Sequence, residues 1–402
     1  MREMKDSGVE WIGEVPVNWE IVPIKADVSI GHGSDPVSPG DIPVWGSGSE
    51  PFKTCGEHKN GPVVLLGRKG TLDCPQLVTG LYWNVDTAFD AKVTTKKISL
   101  KYFYYAATCV DIKPYMTNTA KPSMTQFDWG NSRIPRPPLS EQRRIVAYLD
   151  ERCAAIDEDI DKRREAIEKL KEYKKSLIAH AVTKGLDQNT EMKDSGIEWI
   201  GEVPADWRIS PIWSVLKQRK ETNNHGEESF ILSVIKDKGV VPYSQKGNVG
   251  NKAKEDLTGY MIARRGDIVF NSMNVIIGSV GLSSYDGAIS PAYYAVYPAC
   301  NSVCIRYYDY VFQTRQFQYA LRLIANGILE IRLKVNYRDF AHLKFPVPAR
   351  EIQEEIADFL DERCAAIDEA ISRQEQLIEK LGEYRKSIIH HAVTGKIDCS
   401  EA

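Results

Sequence analysis

SEQRRIVAYLDERCAAIDEDIDKRREAIEKLKEYKKSLIAHAVTKGLD, residues 140–187, carries apolar side chains at two alternating positions of a seven-residue repeat. Cys153, Ile160, Ile167 and Ala181 occupy one position, and Leu149, Ile156, Leu170 and Leu177 the other. A stripe with a period of 3.5 residues keeps to one side of an under-wound helix, as in the seam of a coiled coil. Two seam positions, Arg163 and Lys174, are charged.

The same pattern returns near the C-terminus. Cys364, Ile371, Ile378 and Ala392 repeat the first set, and Leu360, Ile367, Leu381 and Ile388 the second. The exceptions repeat too, with Arg385 in the place of Lys174 and Gln374 in that of Arg163. LDERCAAIDE occurs verbatim at 149–158 and at 360–369. An amphipathic helix must cover its apolar face, and two copies in one chain supply each other with a partner. Two surface helices on separate domains are the other arrangement. Identical seams with matching polar exceptions favour mutual pairing.

The chain has 402 residues, which suggests two to three domains, each with its own core. A net charge of −3 excludes a uniformly basic polyanion binder but not a local basic surface. The eight cysteines are scattered, and Cys300 with Cys304 lacks a second pair at zinc-site spacing. Free thiols in a reducing cytosol fit this usage. No apolar run approaches the ~18 residues of a membrane span, and no signal peptide opens the chain, so a cytoplasmic protein is expected.

Residues 4–19, MKDSGVEWIGEVPVNW, recur as MKDSGIEWIGEVPADW at 192–207. The chain is therefore a tandem duplication of a leader, a variable region and a long helix. Trp11, Trp19, Trp199 and Trp207 lie in the leaders. Being the same in both copies, they suit anchors better than selective base stacking. The organisation expected is a first globular domain at 1–139, a helix at 140–187, a second domain at 188–348 and a second helix at 349–402.

The first variable region is strand-like. Residues 61–67 form a short buried strand, followed by the basic turn Arg68-Lys69-Gly70-Thr71. Residues 102–107 suit helix or strand, and 117–126 form a polar loop holding Lys121. Prolines 135, 137 and 138 stop regular structure. Ser140 then suits an N-cap and Gly185 a C-terminal stop. The second region shows the turn Arg264-Arg265-Gly266-Asp267, a strand at 268–270 and then Asn271 to Asn274. One aromatic helix is expected over 307–323, with Arg332 and Lys334 on one face of an extended segment.

Taken together, the leader DSGxEWIGEVPxxW, the run PRPPLSEQRRIVAYLDE and the closing LIAHAVTKGL resemble the specificity subunit of type I restriction–modification systems. The resemblance covers essentially the whole chain. It implies an α+β fold: two mixed α/β target-recognition domains joined by two long repeated helices that form an antiparallel coiled coil. Each domain would read one half of a bipartite double-stranded DNA site. The coiled coil would set their spacing and dock the modification (methyltransferase) subunits, two of them. Restriction/translocase subunits would join through the complex. S-adenosylmethionine, ATP and Mg belong to those partners and no cofactor to this chain. The implied setting is the bacterial or archaeal cytoplasm, associated with the nucleoid through DNA. One departure stands out: Pro-Pro-Leu-x-Glu-Gln at 137–142 becomes PAREIQ at 348–353, with Ile352 where the glutamate would be, which puts the capping of the second helix in question.

Nothing in the sequence supports catalysis. An amino methyltransferase needs an Asn/Asp-Pro-Pro-aromatic motif to hold a flipped base, and the one Pro-Pro has other neighbours. The Gly-x-Gly pairs at 31–33 and 46–48 suit turns, and the histidines form no metal-ligand set. Candidate DNA contacts are Arg68, Lys69 and Lys121 in one domain and Arg264, Arg265, Asn271, Asn274, Arg332 and Lys334 in the other. Arginine grips guanine bidentately, asparagine suits adenine and lysine holds phosphate. Solvated basic turns are the plain alternative for each. Rival functions are a free-standing bipartite DNA-binding regulator without enzyme partners and a protein–protein scaffold.

Overall fold

A computed structural model describes all residues except 1, 116–121, 248–252, 326–332 and 400–402. The fold divides into two compact units, one made of Met1–Arg164 and Gln374–Ala402, the other of Glu165–Arg373. The long helices cross both units.

In the first unit, strands β1 (Val28–His32), β2 (Val63–Gly67), β3 (Gln76–Val78) and β4 (Ala88–Val93) form an antiparallel sheet of order β1-β4-β2-β3. β2 reads VVLLG and is buried along its whole length, as a continuous apolar run bounded by turn residues demands. Helix α1 (Leu100–Thr108) resolves the helix-or-strand ambiguity at 102–107, and Ser99 caps it through Tyr102 N. Helix α2 (Gln126–Asn131) starts in a Thr125/Asp128 capping box. Trp129 Nε1 donates to Gly67 O at 2.8 Å, tying α2 to the end of β2.

The first long helix, α3, spans Leu139–Lys184. Ser140 is not its N-cap. The helix begins one residue earlier, and Pro138 O accepts from both Glu141 N and Gln142 N. The residue that fixes this start is Gln142, which is fully buried. Its Oε1 accepts from Ser99 N at 2.8 Å, and its Nε2 donates to Lys97 O (2.8 Å) and Pro137 O (2.9 Å).

The second unit repeats the plan. β5 (Leu216–Gln218), β6 (Ile268–Asn271), β7 (Val280–Leu282) and β8 (Tyr293–Pro298) have the order β5-β8-β6-β7, the same topology as the first sheet. The single aromatic helix expected over 307–323 is two: α4 (Ile305–Gln313) and α5 (Arg315–Ile324). They break at Thr314, whose hydroxyl accepts from Phe317 N and so starts a new helix. α6 (Tyr337–His342) precedes the second long helix, α7 (Arg350–Val393). Gln353 does there what Gln142 does in α3, accepting from Cys304 N at 2.9 Å and donating to Pro348 O at 2.9 Å. Ile352 packs against the second core. The glutamate missing from the second copy is therefore not what fixes the start of the helix.

Each globular domain is held by both long helices. In the first unit Tyr102 Oη donates to Val393 O at the end of α7 (3.4 Å), and Tyr105 Oη to Asp150 Oδ1 on α3 (2.8 Å). Lys101 Nζ pairs with the same Asp150 at 2.6 Å. In the second unit Tyr307 Oη donates to Val182 O (3.0 Å) and Tyr310 Oη to Asp361 Oδ1 (2.7 Å), while Arg306 pairs with Asp358 and Asp361. Trp19 and Trp207, the second tryptophans of the leaders, are buried in the two cores. Gly185, at φ +79°, ends α3 in the left-handed conformation that glycine tolerates.

The seam is apolar and antiparallel within each unit. In the first, Arg385 Nε donates to Asp157 Oδ1 at 2.9 Å and Arg163 Nη1 to Gln374 Oε1 at 2.9 Å, so one helix rises as the other falls. In the second, Lys174 Nζ meets Asp368 at 2.7 Å. Leu149, Cys153, Ile156, Ile160, Ile167, Leu360, Cys364, Ile367 and Ile388 are buried. Leu170, Leu177, Ile371, Ile378 and Leu381 are half-buried. The charged seam residues thus reach across to carboxylates or an amide rather than sit unpaired.

Candidate nucleic-acid interface

In the first unit three loops meet where β2 ends. A Cβ at Gly67 would lie 2.2 Å from Thr71 O, so only glycine allows the chain to turn back so tightly. The turn is latched to the loop before α2, with Gly70 N donating to Pro122 O (2.9 Å) and Met124 N to Arg68 O (3.0 Å). Ser47 Oγ donates to Lys69 O at 2.7 Å, which brings in the loop around residue 47. Arg68 and Lys69 stand on this turn, both beside Asp86. Arg68 Nη1 pairs with it, and Lys69 Nζ is 3.5 Å from Oδ2. Two cations are held on a braced turn and partly neutralised by one carboxylate. An incoming guanine edge or phosphate could take the place of that carboxylate. Lys121 lies outside the described residues.

The same latch exists in the second unit, where Val335 N donates to Ser272 O at 3.0 Å. The counterpart of Arg68 is therefore Ser272, and the second turn reads Ser272-Met273-Asn274. Asn271 ends β6 and is buried; its Oδ1 accepts from Met273 N (3.2 Å) and its Nδ2 reaches Tyr293 Oη (3.4 Å). Its amide shapes the turn and does not face solvent. Asn274 and Met273 are exposed, as is Lys334 beside the latching Val335. Arg332 lies outside the described residues.

Arg264 and Arg265 stand elsewhere. They precede β6, at the opposite end of the strand from Asn271, whereas Arg68 follows β2. Arg264 pairs with Glu221, which raises its pKa above the ordinary guanidinium value. Asp267, buried behind this turn, accepts from Arg264 N at 2.8 Å and from Arg219 Nη2 at 2.8 Å. The two basic turns look alike in sequence but are not equivalent in the fold. Ser47 and Met273 carry neither charge nor amide, so a search for basic and asparagine side chains passes over them. Their signal is position: each lies on a loop braced to, or continuing from, the end of a central strand.

Among the described residues no group of three or more His, Cys, Asp or Glu side chains is placed to hold a metal ion. Nor is any described helix long and apolar enough to cross a membrane.

Residues 205–380 match the family described as "Type I restriction modification DNA specificity domain". The chain is 24% identical over 363 residues to the type I restriction enzyme MjaVIII specificity subunit of Methanocaldococcus jannaschii, covering 85% of this chain and 77% of that one. It is 22% identical over 282 residues to the putative MjaX specificity subunit of the same organism, covering 68% and 61%. Among solved structures, a chain from a study of complex assembly and conformational transition of the type I R-M system superposes with a TM-score of 0.67 at 16% identity. That match covers 95% of this chain and 99% of the other. A duplicated frame, two sheets of one topology, this domain match and these relatives converge: residues 205–380 carry the type I restriction modification DNA specificity domain, and the chain as a whole is similar to specificity subunits of type I restriction–modification systems.

Proposed function

We propose that each globular domain of this non-catalytic DNA-recognition subunit reads one half of a bipartite site in duplex DNA, and that the coiled coil sets their spacing. The observation that carries this is a contrast within one fold. The frame repeats down to single hydrogen bonds, Gln142 with Gln353 and Tyr102 with Tyr307. The turns it presents differ, Arg68-Lys69-Gly70 in one unit and Ser272-Met273-Asn274 in the other. A constant mount with divergent tips suits selection of two different sequences.

Arg68 and Lys69 are assigned to the first half-site, with Lys121, which precedes Pro122 in sequence. Asn274, Met273 and Lys334 are assigned to the second, with Arg332 nearby in sequence. Arg265 and Arg264 would hold phosphate at the flank. Modification subunits, two per chain, dock on the helices and bring S-adenosylmethionine, and restriction/translocase subunits bring ATP and Mg. The complex works in the cytoplasm of a bacterium or archaeon.

The test is methylation mapping in cells that carry the complete system. Replacing residues 20–138 by the first domain of another family member should change one half of the methylated motif and leave the other. A change in both halves would overturn independent reading.

A further inference from the structure

The first globular domain holds four phenylalanines, at positions 52, 89, 103 and 127. Phe89 and Phe103 are fully buried in the core. Phe52 is 60% exposed and Phe127 75%. Scattered apolar side chains are ordinary on a protein surface. These two are not scattered, because the backbone carrying each is fastened to the same three residues, Arg68-Lys69-Gly70.

Phe52 lies in a hairpin of two antiparallel strands, Ile42–Trp45 and Lys53–Cys55, and its N–H donates to Val44 O at 3.1 Å. The tip of that hairpin holds Ser47, whose hydroxyl is bonded to Lys69 O. A Cβ at Gly46 would lie 2.9 Å from Thr87 Oγ1 and 3.6 Å from the edge of the Phe52 ring. Thr87 O in turn accepts from Arg68 N at 2.9 Å. Glycine at 46 thus lets the ring and the basic turn close on one strand end. Lys53 Nζ lies 5.5 Å from the centre of the Phe52 ring and brings a third cation beside Arg68 and Lys69.

Phe127 stands in the first turn of α2, directly after the loop whose Pro122 and Met124 latch the same turn. The Thr125/Asp128 capping box fixes this helix start, and Trp129 roots the helix at Gly67 O. Trp129 and Gly130 take the buried side, which leaves Phe127 outward.

Rings this exposed add little to the core, so fold stability does not account for them. A pocket on a protein would take the phenyl rings alone. Duplex DNA suits the whole set, with phosphate oxygens for the cations and base faces for the rings. The second unit follows the same rule with another residue, since Met273 is the exposed apolar side chain on the turn that starts at Ser272.

We propose that Phe52 and Phe127 are base-contacting residues of the first half-site, two apolar side chains that bear on base faces beside the phosphates held by Arg68, Lys69 and Lys53. This rests on the function proposed above and adds an apolar, uncharged component to its recognition surface.

The test uses the complex of the full chain with the methyltransferase subunits of its own system. Its affinity is measured over a range of salt concentrations on a duplex carrying the mapped motif. Phe52→Ala and Phe127→Ala should each weaken binding about five- to a hundredfold. Neither removes a charge, so the slope of log affinity against log salt should not change, whereas Lys69→Ala should lower it by about one. On a duplex whose first half-site is scrambled, the two phenylalanine variants should bind as the wild type does. Leu81→Ala removes an exposed apolar side chain at the far end of the strand Leu81–Asn84 and should change nothing. Thermal melting should show both phenylalanine variants as stable as the wild type. Wild-type affinity in both variants overturns the proposal. So does an altered salt slope, or an equal loss on the scrambled duplex. Loss of bound methyltransferase subunits with DNA contacts intact would make the rings a protein anchor and overturn it too. A wild-type complex that does not distinguish the motif from scrambled DNA instead overturns the functional reading beneath it.

Discussion

Arg163 Nη1 donates to Gln374 Oε1 at 2.9 Å, and the two residues hold the same place in their repeats, 211 positions apart. In an antiparallel pair of duplicated helices, one layer must bring a residue against its own counterpart. Identity at that layer would set two guanidiniums face to face.

Gln374→Arg should therefore destabilise the first unit by about 1–3 kcal/mol, since Arg163 would lose an acceptor and gain a like charge. The exchange Arg163→Gln with Gln374→Arg should recover most of that loss. Urea unfolding of the three variants closes the cycle. Equal midpoints for the single and double variants would show that the layer does not depend on this pairing.

Gln142→Ala leaves the part-buried Ser99 N–H and the buried Pro137 carbonyl without their side-chain partner, and Gln353→Ala the buried Cys304 N–H and Pro348 carbonyl. Each should cost about 1–3 kcal/mol. Ser140→Ala, at an exposed position within the first turn, should stay within about 0.5 kcal/mol. A larger loss at Ser140 than at Gln142 would reinstate the serine as the cap.

Leu360 is fully buried and Leu170 only half-buried, although both belong to the seam. Leu360→Ala should cost about 2–5 kcal/mol, and Leu170→Ala less than half as much. Chemical denaturation would rank them. The reverse order would mean that the pairing register is wrong.

Asp309 on α4 gives the second unit a pH dependence. Burial pushes its carboxyl up to about 6, although Gln313 Nε2 donates to one oxygen at 2.9 Å. The Leu282 backbone also favours the charged form, but burial outweighs both contacts. The folded state then holds a proton that the unfolded state releases near the ordinary value, 3.8. Stability should fall as pH rises from about 4 to 6, by on the order of 1–3 kcal/mol. Asp309→Asn should flatten that slope in urea titrations across the window. An unchanged slope would place the dependence elsewhere.

The helices were legible because a heptad seam is a long, regular signal and here occurs twice. The shared sheet topology was not. Its strands are three to six residues long, and their pairing, such as Phe89 with Leu66 or Phe270 with Tyr294, joins residues whose identities need not agree. The anchors on α1 and α4 were in view as Lys101-Tyr102…Tyr105 and Arg306-Tyr307…Tyr310, but their role depends on Asp150 and Asp361 far along the chain. Ser140 is a good cap by residue type alone, whereas Gln142 holds the helix start through tertiary contacts. By its residues the turn at 264–267 looks like the one at 68–71. Hydrogen bonding instead matches Arg68 to Ser272, because backbone latches report position in the fold.

The acceptor of the Tyr102 hydroxyl, Val393 O, lies 291 residues downstream. The first unit is split between Met1–Arg164 and Gln374–Ala402, and the second is one uninterrupted segment between them. On the ribosome this sets an order of events. About 210 residues must be made between the two parts of the first unit, roughly 10 to 40 s at ~5–20 residues per second. Throughout that interval the nascent chain shows the bare apolar stripe of Leu149, Cys153, Ile156 and Ile160. The domain that begins first is the last to be finished, and the inner unit can close before its host does.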